Sequence, residues 1–121
     1  KHILVEKPLA STSKEVQKIY SLAKANKLLA MVGHTFLFNE AVRTIKTIID
    51  SGEIGDIRYI YSQRLNLGRI RSDVDAMWNL APHDVSIIQY WLDEPYPIEV
   101  DRSGISFVQK GIDDVVFLNI K

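Results

Sequence analysis

Apolar residues recur along the 121-residue chain at two spacings, and the switches between them delimit its elements. His2, Ile3, Leu4 and Val5 form a short β-leaning run closed by Pro8, the pattern of a buried strand. Thr12 and Glu15 then stand three apart, as in a capping box. Val16, Ile19, Tyr20 and Ala23 follow at helical spacing, which predicts an amphipathic helix over 13–26. A second apolar run, 28–32, ends at Gly33. Strand, helix and strand within the first 33 residues is the pattern of a βαβ unit, whose parallel strands are joined by a right-handed crossover.

Beyond Phe38 the pattern changes. Asn39 suits a helix cap, Val42, Ile45, Ile48 and Ile49 line one face, and Gly52 supplies a stop. After the Gly55-Asp56 turn, 57–65 alternates as a long strand would, with Tyr59 and Tyr61 on one side and Ile60 on the other. Residues 66–75 are polar and arginine-rich and read as a loop. A third helix is expected from Asn79 or Leu80 to Leu92, with Val85, Ile88, Trp91 and Leu92 as its apolar stripe and Pro82 in its first turn. Asp93-Glu94-Pro95 ends it. Strands over 98–108 and 114–120 flank a Gln109-Lys110-Gly111 turn. The expectation is an α/β (α+β) chain in two parts, a last βαβ unit over 1–37 and a mixed sheet with covering helices over 38–121. Two parallel strands alone make an unstable domain, so 1–37 reads as the edge of a larger doubly wound sheet. The chain also starts inside a strand pattern without a methionine, as a piece of a longer protein would.

Composition narrows the function. Hydrophobic residues make up 46% and charged residues 25%, ordinary for a globular domain and unlike a disordered tail. Fifteen basic residues balance fifteen acidic ones, so no net field draws the chain to nucleic acid or to an anionic membrane. It has no cysteine, hence no disulfide framework and no thiolate metal site. The longest apolar stretch, 28–32, is far too short to span a bilayer, and no secretory signal opens the chain, so the cytoplasm is the expected compartment.

Four groups of residues have chemical potential. Glu6-Lys7-Pro8 directly follows a strand, and open α/β sheets bind ligands beyond the carboxyl ends of their strands. The bland reading is an exposed pair before a loop proline. His34-Thr35-Phe36-Leu37-Phe38-Asn39 ends the second strand on that same edge, and taken alone reads first as an aromatic cap on a core. Asn79 and His83, four apart, share a helix face, and a neutral imidazole suits general acid or base work; the alternative is a helix histidine bonded to backbone. Arg64, Arg69 and Arg71 crowd three guanidinium forks into eight residues, a set that matches carboxylates and phosphates unless nearby acids such as Asp73 and Asp75 occupy it. His2, His34 and His83 lack metal-ligand spacing, so no metal is expected. The glycines at 33, 52, 55, 68, 104 and 111 include no G-x-G-x-x-G, the turn that holds a dinucleotide pyrophosphate.

Taken together, Ile3-Leu4-Val5-Glu6-Lys7-Pro8-Leu9, the strand into Gly33-His34, Ser51-Gly52-Glu53-Ile54-Gly55-Asp56-Ile57 and the His83-Asp84 helix resemble the glucose-fructose oxidoreductase and inositol dehydrogenase (Gfo/Idh/MocA) family. The resemblance implies the end of a Rossmann-type parallel sheet followed by part of a C-terminal α/β domain with an open mixed sheet. It also implies an NAD or NADP cofactor that this stretch alone does not hold. Gly33-His34-Thr35-Phe36-Leu37-Phe38-Asn39, Arg64-Leu65-Asn66-Leu67-Gly68-Arg69 and Leu80-Ala81-Pro82-His83-Asp84 look like the branch that oxidises C3 of UDP-N-acetylglucosamine or its uronic acid. On that resemblance Lys7 and His83 are catalytic, Lys7 stabilising charge on the reacting oxygen and His83 taking the hydroxyl proton. Glu6, Lys7, Pro8 and His34 would face the cofactor. Lys7, Asn39, Arg64, Asn66, Arg69, Arg71, Asn79 and His83 would face a nucleotide-sugar substrate. The family often has an aspartate four residues before the histidine; here Asn79 stands there and cannot relay a proton. Neither nucleic acid nor membrane is an implied partner, whereas a second copy meeting the C-terminal sheet is. The other function class is a non-catalytic relative that binds a partner through its open sheet face.

Overall fold

The computed structural model describes residues 1–65, 71–93 and 96–121, and their contacts separate into two compact units, Lys1–Thr35 and Phe36–Lys121. The architecture is α/β, with one parallel and one antiparallel pair of strands.

In the first unit, β1 (Ile3–Val5) lies parallel to β2 (Ala30–Val32), pairing Ile3 with Ala30, Leu4 with Met31 and Val5 with Val32. Between them runs α1 (Ser13–Ala25). Its start follows from local chemistry: the Thr12 hydroxyl accepts from the Glu15 amide at 3.3 Å, and the Glu15 carboxylate accepts from the Thr12 amide at 3.0 Å. This capping box satisfies two amides that the helix itself cannot. Asn26 closes the other end, its side-chain amide donating to the Leu22 carbonyl at 2.8 Å. His2 stands just before β1, where its Nδ1 accepts the Leu29 amide at 3.0 Å. The bond extends the strand pairing by one residue through a side chain and requires that nitrogen unprotonated.

In the second unit, α2 (Glu40–Asp50) starts at Asn39, whose side-chain oxygen accepts the Ala41 amide at 2.9 Å. The helix α3 (Ala76–Leu92) starts three residues before the expected Asn79, because the Asp75 carboxylate accepts the Trp78 amide at 2.8 Å and fixes the first turn there. Pro82 therefore lies inside the helix and not in its first turn. Trp91 donates its indole N–H to the Val42 carbonyl at 2.9 Å, tying α3 to α2. Val42 and Ile87 are the buried apolar residues among those described. Ile87 lies off the expected stripe of Val85, Ile88, Trp91 and Leu92, since α3 is at least half-buried along most of its length and not on one face alone.

The strands β3 (Val100–Ile105) and β4 (Val115–Ile120) form an antiparallel hairpin with Val100 opposite Ile120 and Ile105 opposite Val115. Gly111 takes φ 83° in the connection, a conformation that favours glycine. The expected strand over 57–65 is absent: alternation supplies a face, but a strand also needs a neighbouring backbone, and these residues have none among those described. Tyr59 and Tyr61 are accordingly 84% and 74% exposed.

A polar clamp joins α3 to the hairpin. Arg102 on β3 reaches the Asp75 cap at 2.8 Å and Asp113 at 2.6 Å, the Ser106 hydroxyl donates to Asp113 at 2.8 Å, and the Asp113 carbonyl accepts the Ala76 amide at 2.9 Å. Gly104 makes room for it: a Cβ there would lie 2.6 Å from the Asp113 carboxyl carbon.

Candidate functional site

The first group of candidate residues sits where β1 and β2 end together. The Gly33 amide donates to the Val5 carbonyl at 2.8 Å, carrying the pairing one residue past the strands. Glu6, Lys7 and Pro8 leave β1 there, and Gly33 and His34 leave β2 beside them. The Lys7-Pro8 peptide is cis. A Cβ on Gly33 would lie 3.4 Å from both Glu6 Oε1 and the Val5 carbonyl, an ordinary van der Waals distance, so the two strand ends lie side by side. Glu6 and Pro8 are exposed, while Lys7 and His34 are half-buried. His34 Nδ1 is itself buried and has no hydrogen-bond partner among the described residues, a polar atom left for something else to satisfy. The edge combines a carboxylate, an ammonium and an imidazole at the carboxyl end of a parallel pair, where such sheets bind ligands.

The second group is built around α3. His83 lies one turn beyond Asn79, and both are half-buried. The His83 ring meets Phe36 edge-on, with centroids 4.9 Å apart and planes at 70°. Arg64 lies over the same Phe36 ring, its guanidinium carbon 5.2 Å from the centroid. Its fork closes on Asp84 at 2.7 Å from Nε and 3.0 Å from Nη2, a bidentate pair. The Ser86 hydroxyl donates to the His83 carbonyl at 2.8 Å. Arg64, Phe36, His83 and Asp84 thus form one connected cluster.

The other expected site residues are dispersed. Asn39 uses its side-chain oxygen to cap α2. Arg71 makes an exposed pair with Asp73 at 2.8 Å from Nε. Asn66 and Arg69 lie outside the described residues. The sequence reading did not single out Phe36 or the Arg64–Asp84 pair. The only signal for the pair was complementary charge twenty residues apart, which says nothing of proximity. Among the described residues no cluster of acids and histidines could hold a metal, and no helix is long and apolar enough to cross a membrane.

The Ser106 hydroxyl and then Arg102 hold the Asp113 carboxyl below its ordinary value. Asp50 and Asp93 hold Lys46 above its own.

Comparison with known proteins agrees with an oxidoreductase scaffold. No family model matches the chain. It is 26% identical over 99 residues to an inositol 2-dehydrogenase of Salmonella paratyphi B, a match covering 79% of this chain and 30% of that protein. It is 32% identical over 98 residues to a 4-carboxy-2-hydroxymuconate-6-semialdehyde dehydrogenase of Sphingobium, covering 74% of the chain and 31% of the relative. A dTDP-3,4-didehydro-2,6-dideoxy-α-D-glucose 3-reductase of Saccharopolyspora spinosa is 34% identical over 58 residues, 48% of the chain and 18% of that enzyme. The fold matches a solved oxidoreductase of Pseudomonas syringae at a TM-score of 0.78 and 16% identity, over 99% of this chain and 34% of that one. The chain thus spans about a third or less of the length of these proteins.

Proposed function

We propose that the chain is part of an NAD(P)-dependent oxidoreductase of the Gfo/Idh/MocA family that oxidises a sugar hydroxyl, with C3 of a UDP-N-acetylglucosamine-type nucleotide sugar as the preferred substrate. The observation that carries the reading is the paired end of β1 and β2, which brings Glu6-Lys7-Pro8 beside Gly33-His34 on the ligand-binding edge of a parallel pair. Relatives that include a polyol dehydrogenase and a nucleotide-sugar 3-reductase support the substrate class.

The residues present fit one end of a dinucleotide. The buried Nδ1 of His34, without a hydrogen-bond partner among the described residues, suits a polar amide, so Glu6, Lys7, Pro8 and His34 would hold the nicotinamide. The sequence contains no G-x-G-x-x-G, the motif that holds a dinucleotide pyrophosphate, so the phosphates would be held from outside this stretch. When bound, the nicotinamide takes up the two electrons lost by the alcohol carbon. The chain's own residues handle charge and proton. The Lys7 ammonium donates to the reacting oxygen and stabilises the negative charge that grows on it. The His83 imidazole accepts the hydroxyl proton. Asn79, one turn away, orients a sugar hydroxyl by hydrogen bonding without relaying a proton. Asn39, Asn66, Arg69 and Arg71 are the further residues proposed to face the substrate.

The test is absorbance at the reduced-nicotinamide band with the full-length protein. NAD and NADP are each paired with UDP-N-acetylglucosamine, its uronic acid and myo-inositol. Turnover with the nucleotide sugars is the expected result. Turnover with myo-inositol alone would keep the family and discard the nucleotide sugar.

One observation favours a second role for the same protein. Ile105, Val115 and Phe117 share one face of the hairpin and are 50%, 39% and 65% exposed. We propose that this face meets a second copy of the protein. Phe117→Glu should lower the mass found by sedimentation while leaving the melting temperature within a few degrees. An unchanged mass would discard the interface.

A further inference from the structure

We propose that Arg64 is a positioning residue for His83, acting through Asp84 and Phe36, and not primarily a receptor for substrate anions. The inference rests on the reading of His83 as the proton acceptor. A general base works only when its lone pair points at the proton to be removed, and small displacements are costly. The backbone that carries His83 is locally weakened: Pro82, immediately before it inside α3, has no amide to donate to the carbonyl one turn back. One side chain from outside the helix packs against the ring. Phe36 meets it edge-on at 4.9 Å, and Phe36 in turn carries the Arg64 guanidinium over its face at 5.2 Å. Arg64 gains its own orientation from the two-point grip on Asp84, the residue next to His83, with both partners about three-quarters buried. A guanidinium so engaged has its planar fork turned to Asp84, the group an incoming carboxylate or phosphate would have to displace. It instead links the helix to the aromatic ring, so Phe36, Arg64, Asp84 and His83 move as one unit.

The experiment is steady-state kinetics of the full-length enzyme with NAD, using UDP-N-acetylglucosamine and myo-inositol as probes and sites counted by nucleotide titration. Arg64→Met should lower kcat about tenfold or more, with KM for the sugar moving less than about threefold. Asp84→Asn should act in the same direction. The double variant should be little worse than either single one, because the two residues work as a unit. Arg64→Lys keeps a cation over Phe36 and one ion pair, so it should recover part of the loss; if Arg64→Met does not fold, Arg64→Lys and Asp84→Asn carry the test. A raised KM with kcat intact would make Arg64 an anion receptor, and additive effects would break the link through Asp84; either overturns the proposal. His83→Gln separates the two levels. Full activity in that variant removes the proton-acceptor reading itself. Lost activity there, with kcat intact in Arg64→Met and Asp84→Asn, removes only the positioning role. The imidazole Cε1–H resonance of His83, identified by its loss in His83→Gln, needs no turnover. It should be a single sharp line in the wild type and broadened or split in Arg64→Met, and an unchanged line would also overturn the proposal.

Discussion

Lys7 leaves β1 half-buried at the strand end, and in the proposed reaction its ammonium meets the oxygen that gains charge. Methionine keeps its length and apolar stem and removes the charge, so Lys7→Met should lower kcat by roughly 10²–10³-fold. Fluorescence titration with NADH should show affinity nearly unchanged, and a kcat close to wild type would remove the catalytic role. Asn79 stands where the family that the chain resembles often has an aspartate. Asn79→Asp places a titrating carboxylate one turn from His83, which favours imidazolium, so the acid limb of the kcat/KM profile should move to higher pH. A variant that fails to fold would instead make Asn79 structural. Legibility at this scale follows sequence distance. The Thr12–Glu15 box and the Asn39 cap were readable because each bond spans two or three residues. The Arg64–Asp84 fork was not, because charge complementarity across twenty residues becomes a contact only once the chain is folded.

At the level of elements, α3 shows what periodicity misses. Its apolar spacing was plain, but its start was set by a single capping carboxylate, Asp75, which the loop composition around it concealed. The same carboxylate reaches Arg102, so one residue both starts the helix and joins it to the hairpin. Asp75→Ala should therefore cost more than the roughly 1 kcal/mol of an ordinary cap, read as a drop in denaturation midpoint. Asp113, on the other side of Arg102, makes the clamp pH-dependent. Its carboxyl is held below the ordinary 3.8 by Ser106 and Arg102, so its contribution is complete above that value. It is lost as pH falls from 3.8 through the lower folded-state value. Melting temperature measured down this range should fall less steeply in Asp113→Asn than in the wild type, and parallel curves would place the acid sensitivity elsewhere. The residues at 57–65 mark the opposite error. There an alternating pattern of high β-propensity forms no strand, because propensity describes a surface and not the presence of a partner.

At the scale of the whole molecule, the two units divide the proposed chemistry. Lys1–Thr35 carries the paired strand ends with Glu6, Lys7, Pro8 and His34, and Phe36–Lys121 carries His83 with Phe36, Arg64 and Asp84. The order of these features along the chain was legible because each is a short motif tied to a strand end or a helix face. The missing pyrophosphate turn was equally plain from where the glycines fall. Dinucleotide affinity comes largely from backbone amides around the phosphates at a glycine-rich turn, while the nicotinamide end mainly sets geometry. The polypeptide 1–121, shown by circular dichroism to keep its helices, should therefore bind NADH too weakly to saturate at millimolar concentration. If the chain is part of a longer protein as proposed, a polypeptide that also carries a glycine-rich turn should bind it at micromolar concentration, as a complete dinucleotide site does. Tight binding by 1–121 alone would mean that Glu6-Lys7-Pro8 and Gly33-His34 form more of the cofactor site than the strand ends imply. The phosphate contacts would then have to be sought among this chain's own arginines and lysines.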